Sequence, residues 1–190
     1  MKPSTSLVAL LSLASAVVSS TIPARGISSC KAEDRVLVES HTVTAGGHEF
    51  TVSTKACSAD VLTSLTKQDA ETTTYTCVTN QGTGPLSSDC TALSAAIVAA
   101  DEQPGDPTLF TVSPQFAQEF SLGTCLYAWI NQNPVGGATL QCSYSYVTSI
   151  LAFNLDQSCI KAGDTGGFTT VSNPALVPAS LDWNFEVLHS

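Results

Sequence analysis

The run Gly163-Asp164-Thr165-Gly166-Gly167 is the stretch of this 190-residue chain whose residue types and spacing come nearest to a hydrolytic signature. As Asp-Thr-Gly it would supply half of an aspartic-protease dyad, which needs two carboxylates sharing one proton. The chain holds a single copy, placed after a predicted helix. As Gly-Asp-Ser-Gly-Gly with threonine for serine it would need a positioned histidine base. His41 and His48 both fall on one predicted hairpin and cannot supply it. Turn chemistry offers the plainer reading, a helix C-cap at Gly163 running into a glycine turn.

Other candidate groups are weaker. Sixteen acidic residues make accidental carboxylate pairs inevitable, so they carry no glycosidase signal. Asp101, Glu102 and Asp106 cluster near a loop but lack the Asp-x-Asp-x-Asp-Gly order of a calcium loop. His189 is expected to be exposed and inert. No catalytic residue, cofactor or metal site is expected.

Seven cysteines, Cys30, Cys57, Cys77, Cys90, Cys125, Cys142 and Cys159, are widely spaced, with no C-x-x-C pair and no neighbouring histidines of zinc-site type. They read as disulfide candidates, with one thiol left over in a monomer or used in a disulfide-linked dimer. The pairing stays open at this point. Ahead of them, Lys2, the apolar run Leu7 to Val18 and the small residues Val18-Ser19-Ser20 form a secretory signal pattern over residues 1–20. Export to an oxidising extracellular space is the expected localisation. A formal charge of −9 disfavours nucleic acid and anionic membrane surfaces as partners, and no run is long enough for membrane insertion.

The elements that would position these groups follow from hydrophobic period and turn signals. Val36, Val38, Val43, Phe50 and Val52 around Ala45-Gly46-Gly47-His48 predict a hairpin with Val43 opposite Phe50 and His41 opposite Val52. Both histidines then share a face, about 13 Å apart. Thr73 to Thr79 reads as a strand. Leu86, Cys90, Leu93 and Ile97 predict a helix to about Ala100, started by Ser87, Ser88 and Asp89. Leu109 to Val112 and Phe120 to Ile130 read as strands, the latter with Phe120, Leu122, Leu126, Ala128 and Ile130 on one face and Cys125, Tyr127 and Trp129 on the other. Cys142 to Ala162 carries a helical stripe through Val147, Ile150, Leu151, Leu155 and Cys159. Phe168 to Val171 and Leu181 to Leu188 close the chain as strands.

This order predicts an α+β fold: a two-layer α/β sandwich with a split βαβ, ferredoxin-like core over residues 73–190, both helices on one sheet face. Residues 21–72 add the N-terminal hairpin, which extends or covers the sheet and is tied down by Cys30 and Cys57. Tyr75, Tyr127 and Trp129 become a possible binding face on the side away from the helices, with core packing under the hairpin as the alternative.

Cys77, the run Gly84-Pro85-Leu86-Ser87-Ser88-Asp89-Cys90, Phe110-Thr111-Val112, and Gly123-Thr124-Cys125 with Leu126-Tyr127 resemble the fungal necrosis-inducing effector-homologue family of killer-toxin-like secreted proteins. The resemblance spans about Thr73 to Lys161. Val78-Thr79-Asn80 departs from the family's aromatic residue and glycosylation sequon, and the cysteines exceed its usual number. What it implies is secretion and an α/β sandwich. The function expected is that of a non-enzymatic interaction protein, effector or killer-toxin-like, whose partner is a protein or a cell-surface glycan. A carbohydrate-binding module is the alternative and a small secreted hydrolase the third reading.

Overall fold

The computed structural model describes residues 30, 32–57, 74–79, 82–102, 109–133, 136–170 and 183–190. The leader pattern of residues 1–20 lies outside them, as do Asp106, Val171 and Leu181.

Strand-forming residues around Gly46-Gly47 give the hairpin of β1 (Arg35–Ala45) and β2 (His48–Cys57) in the expected register, Val43 opposite Phe50 and His41 opposite Val52. A bulge at Val38 interrupts the pairing between Leu37 and Glu39. The hairpin extends the sheet, because β2 pairs with β5 (Phe116–Leu122). The remaining strands are β3 (Thr74–Val78), β4 (Leu109–Val112), β6 (Cys125–Asn131), β7 (Leu140–Ser143), β8 (Gly166–Thr170) and β9 (Trp183–His189). Seven of them form one sheet in the order β1-β2-β5-β6-β9-β8-β3, every neighbouring pair antiparallel, while β4 and β7 pair in a separate ribbon.

The fold is therefore α+β with a mostly antiparallel sheet, and three points of the expected core are corrected. Phe120 to Ile130 is not one strand. It folds back at Gly123-Thr124, with Leu122 facing Cys125, so that β5 and β6 are a hairpin. Gly123 sits at φ 57°, a left-handed conformation that glycine adopts without steric cost. Second, the 109–112 strand leaves the main sheet. Third, β9 inserts between β6 and β8 and leaves β3 at an edge. Phe120 pairs with Tyr127, so it shares the face of Tyr127 and Trp129 and not that of Ala128 and Ile130.

Helix α1 (Ser87–Asp101) buries Cys90, Leu93, Ala96 and Ile97 against the sheet. Its N-cap is Leu86, which has no capping side chain; the Leu86 N–H donates to Thr124 Oγ1, in the β5–β6 turn. The second helix, residues 144–160, alternates α turns (Tyr144–Tyr146, Phe153–Leu155) with π turns (Val147–Ala152, Asp156–Ile160). Its buried residues repeat every four positions, Val147, Leu151, Leu155 and Cys159 beside Thr148, Ala152, Asp156 and Ile160. A strict α-helix would carry such a repeat about 40° further round at each step. Wider turns keep both rows on the sheet, and Ile150, expected in the stripe, is left exposed. Cys142 precedes this helix as part of β7.

Asp89 in the first turn of α1 accepts hydrogen bonds from the Thr124 N–H (2.8 Å) and hydroxyl (2.7 Å), which draws its carboxyl below the ordinary range. A Cβ at position 123 would lie 2.5 Å from Asp89 Oδ2. Gly123→Ala is expected to destabilise the protein by about 1–3 kcal/mol through backbone strain and this overlap, read as a lower midpoint in urea unfolding.

Candidate functional site

The catalytic-looking run of residues 163–167 is occupied by structural bonds. Gly163 N–H donates to the Ile160 carbonyl and Asp164 N–H to that of Cys159, the paired bonds of a helix C-cap. Thr165 donates both its N–H (2.9 Å) and its hydroxyl (2.8 Å) to the Val78 carbonyl. Gly167 lies against Cys159 Sγ and Leu155 Cδ2. His41 and His48 are exposed and offset by four residues along the hairpin axis, His41 opposite Val52 and His48 opposite Ala45. His189 is exposed, its Nδ1 against the Ser190 carbonyl.

Three disulfides resolve the cysteine pairing: Cys30–Cys57, Cys77–Cys159 and Cys90–Cys125. The first closes the open end of the hairpin, the second staples the second helix to β3, and the third staples α1 to β6. Cys142 is free and buried among the core residues, and desolvation pushes its thiol well above the usual range. The Sγ atoms of Cys77 and Cys159 lie within 4.8 Å of an Asp164 carboxylate oxygen. Joined to each other, those sulfurs offer no thiolate to a cation.

The aromatic face is corrected by the hairpin at Gly123. Tyr127 and Trp129 point toward the helices and are fully buried. Tyr127 donates to the Cys90 carbonyl (2.7 Å) and pairs with Ser94 Oγ (2.8 Å) on α1, and burial raises its hydroxyl pKa. Trp129 stacks on Trp183 at 4.3 Å between ring centroids. Tyr75 is half-buried, its oxygen accepting from Asn154 Nδ2 (2.8 Å). The three do not form an open platform, and core packing is their role, beneath the helices and not beneath the hairpin.

On the sheet's other face lies a group that the sequence reading passed over. Glu119 on β5 and Glu186 on β9 flank Ala128 on β6 in one cross-strand row. The Arg35 guanidinium reaches both, Nη1 to Glu119 (2.9 Å) and Nη2 to Glu186 (2.5 Å), and its Nε and Nη2 also donate to the Cys30 carbonyl. Lys55 meets the second Glu119 oxygen at 2.7 Å. Arg35, Glu119 and Glu186 are all buried, and Cys30 packs there with Ala117, Ala128 and Ile130. Cys30 and Arg35 thus both lie on this face, joined by the bonds from the guanidinium to the Cys30 carbonyl. The sequence signal was present but faint: Glu119 and Glu186 alternate with core-facing Phe120 and Phe185, which fixes their face but not its burial.

What remains outward is apolar at one edge. On β1, the edge strand of the sheet among the described residues, Val36, Leu37 and Val38 are 61%, 57% and 58% exposed. Three adjacent exposed aliphatic residues are uncommon on a strand that has no partner on one side. A shallow groove of 360 Å³ also runs between α1 and the second helix, lined by Ser94, Val98, Glu102 and Thr148 among others. No described helix is long and apolar enough to cross a membrane.

The chain matches no protein-family model, and neither a curated protein nor a solved structure shows significant similarity to it.

With the six other cysteines paired inside the chain, Cys142 can meet a second molecule only if the core opens. The folded protein is expected to resist thiol-specific labelling, and denaturation without reductant to expose one reactive thiol per chain. Stoichiometric labelling of the folded protein would contradict this placement.

Proposed function

We propose that this chain is a secreted, non-catalytic interaction protein of effector or killer-toxin-like type, acting outside the cell through the β1 edge. The observation that carries the reading is the exposed Val36-Leu37-Val38 run on a strand whose base is held by Arg35 and the Cys30–Cys57 bridge. A bulge at Val38 re-aims side chains there. Apolar exposure on a rigid frame suits binding, since little ordering entropy is lost when a partner arrives.

Further support comes from how the remaining chemistry is used. The killer-toxin-like motif residues converge, Asp89 on Thr124 and Cys90 on Cys125, so the motif reads as a fold determinant. In the 163–167 run the N–H groups of Gly163 and Asp164 serve the helix cap and the Thr165 hydroxyl is held by Val78, so the hydroxyl that a serine-type reading would use is engaged in a structural bond, which favours binding over hydrolysis. Aliphatic side chains favour a protein partner over a glycan, because sugar-binding faces rely on exposed aromatic rings and Tyr127 and Trp129 lie in the core. Export by the residue 1–20 leader belongs to the same proposal, as does the finer idea of a split βαβ, ferredoxin-like core over residues 73–190.

The test joins activity to a surface variant. Val36→Thr, Leu37→Thr and Val38→Thr together keep strand-forming side chains and remove most of the exposed apolar area. The triple variant is expected to unfold at the wild-type temperature, yet to need more than about tenfold higher dose to cause plant-tissue death or arrest of a competing microbe. Equal potency would remove β1 as the contact. Inactivity of the wild type in both assays would remove the toxin reading, and its retention on chitin, glucan or cellulose would favour the glycan alternative.

A further inference from the structure

We propose that β1 takes up an extended segment of its partner, aliphatic at the centre and flanked by lysine or arginine, as a further strand of the sheet. The inference rests on the reading of β1 as the contact edge and names the chemistry of what it meets. On one side β1 pairs with β2; on the other no described strand lies beside it. Its outward N–H and C=O groups are therefore left as a template for main-chain pairing. Lysine and proline, which ordinarily blunt such an edge, are absent from Arg35–Ala45. The one irregularity is the bulge at Val38, which disfavours a long flat pairing and leaves room for a short one.

The exposed run fixes how the partner must lie. Successive strand side chains point to opposite faces of a sheet, so a molecule resting on one face would leave part of Val36, Leu37 and Val38 in water. All three are exposed to a similar extent. A segment lying along the edge reaches both sides at once, with main-chain bonds for affinity and alternate side chains for selectivity.

Charge fixes what that segment carries. Glu33 and Asp34, in the 3-10 turn ahead of β1, and Glu39, just past the run, bracket the aliphatic residues with carboxylates. None of the three has an ion pair among the described residues. Every described lysine and arginine is spent elsewhere: Arg35 on Glu119 and Glu186, Lys55 on Glu119, Lys161 on Asp156. The unbalanced charge beside the run is thus negative, and cations on either side of an aliphatic centre complement it. A second copy of this chain would bring the same carboxylates to the same edge, on a molecule of formal charge −9. A basic segment fits where a copy does not.

The probes are two synthetic peptides, Lys-Thr-Val-Val-Val-Thr-Lys and its counterpart with glutamate for lysine, titrated by NMR into the isotopically labelled protein. The lysine peptide is expected to shift the β1 amide resonances and slow their hydrogen exchange, and the glutamate peptide to bind about threefold to tenfold more weakly. Methylating the valine backbone nitrogens, which removes donors that strand pairing needs, should abolish the shifts. Glu39→Lys should weaken the lysine peptide and strengthen the glutamate one, whereas Glu102→Lys, the same charge change on an exposed residue at the end of α1, should leave the preference as it was. The proposal is overturned by equal binding of the two peptides, by binding of neither, by shifts confined to residues outside β1, or by undiminished binding of the methylated peptide. A dimer seen by sedimentation that the Val36→Thr, Leu37→Thr, Val38→Thr variant lacks would overturn it too. If it fails while that triple variant still loses potency, β1 remains the contact and only the basic strand is withdrawn; if potency is unchanged as well, the contact reading falls with it.

Discussion

A guanidinium buried between two glutamates constrains this molecule more than any other contact. Arg35, Glu119 and Glu186 come from three strands that are distant in sequence, and none can be buried without the others. Breaking such a group by removing one partner typically costs about 3–5 kcal/mol, because a charge is left unpaired in a poor solvent. Ala128, which lies between the two glutamates in their cross-strand row, is small enough to leave that guanidinium room to reach both carboxylates.

The helix face is organised by covalent staples instead. Cys90–Cys125 and Cys77–Cys159 join one helix each to the sheet, over sequence separations of 35 and 82 residues. In the loop-entropy account, closures of this size restrict the unfolded chain by about 3–5 kcal/mol apiece. Around them the aromatic core of Phe110, Phe120, Trp129, Trp183 and Phe185 packs edge to face or stacked. The sheet is thus cross-braced on both faces, by disulfides on one and by the Arg35 ion pairs on the other, and the exposed aliphatic residues lie at its edge. Thr165, in the run that resembles a catalytic signature, is itself a joint between elements, donating its N–H and its hydroxyl to the Val78 carbonyl.

Much of the fold was legible in the residues. The Gly46-Gly47 turn set the hairpin register, since a two-residue loop between alternating strands leaves one pairing. The Leu93 and Ile97 spacing located α1, and the absence of metal-type spacing among the cysteines pointed to cross-links. The break at Gly123-Thr124 was missed because a hydrophobic run on both sides of a short turn has the period of one continuous strand. That single slip turned Tyr127 and Trp129 to the wrong face, for two strands joined by a turn carry their own registers.

Sequence by itself determined the local grammar: where strands and helices form, which residues share a face, and that sulfur had six partners to find and one to spare. Tertiary structure alone decided which cysteines pair, that Val36 to Val38 stay outside while Val52 goes in, and that Glu119 and Glu186 are buried. The physical reason is range. Periodicity and turn chemistry act over a few residues, whereas burial of a charge depends on whether an opposite charge 84 or 151 positions away is delivered to it, as Arg35 is.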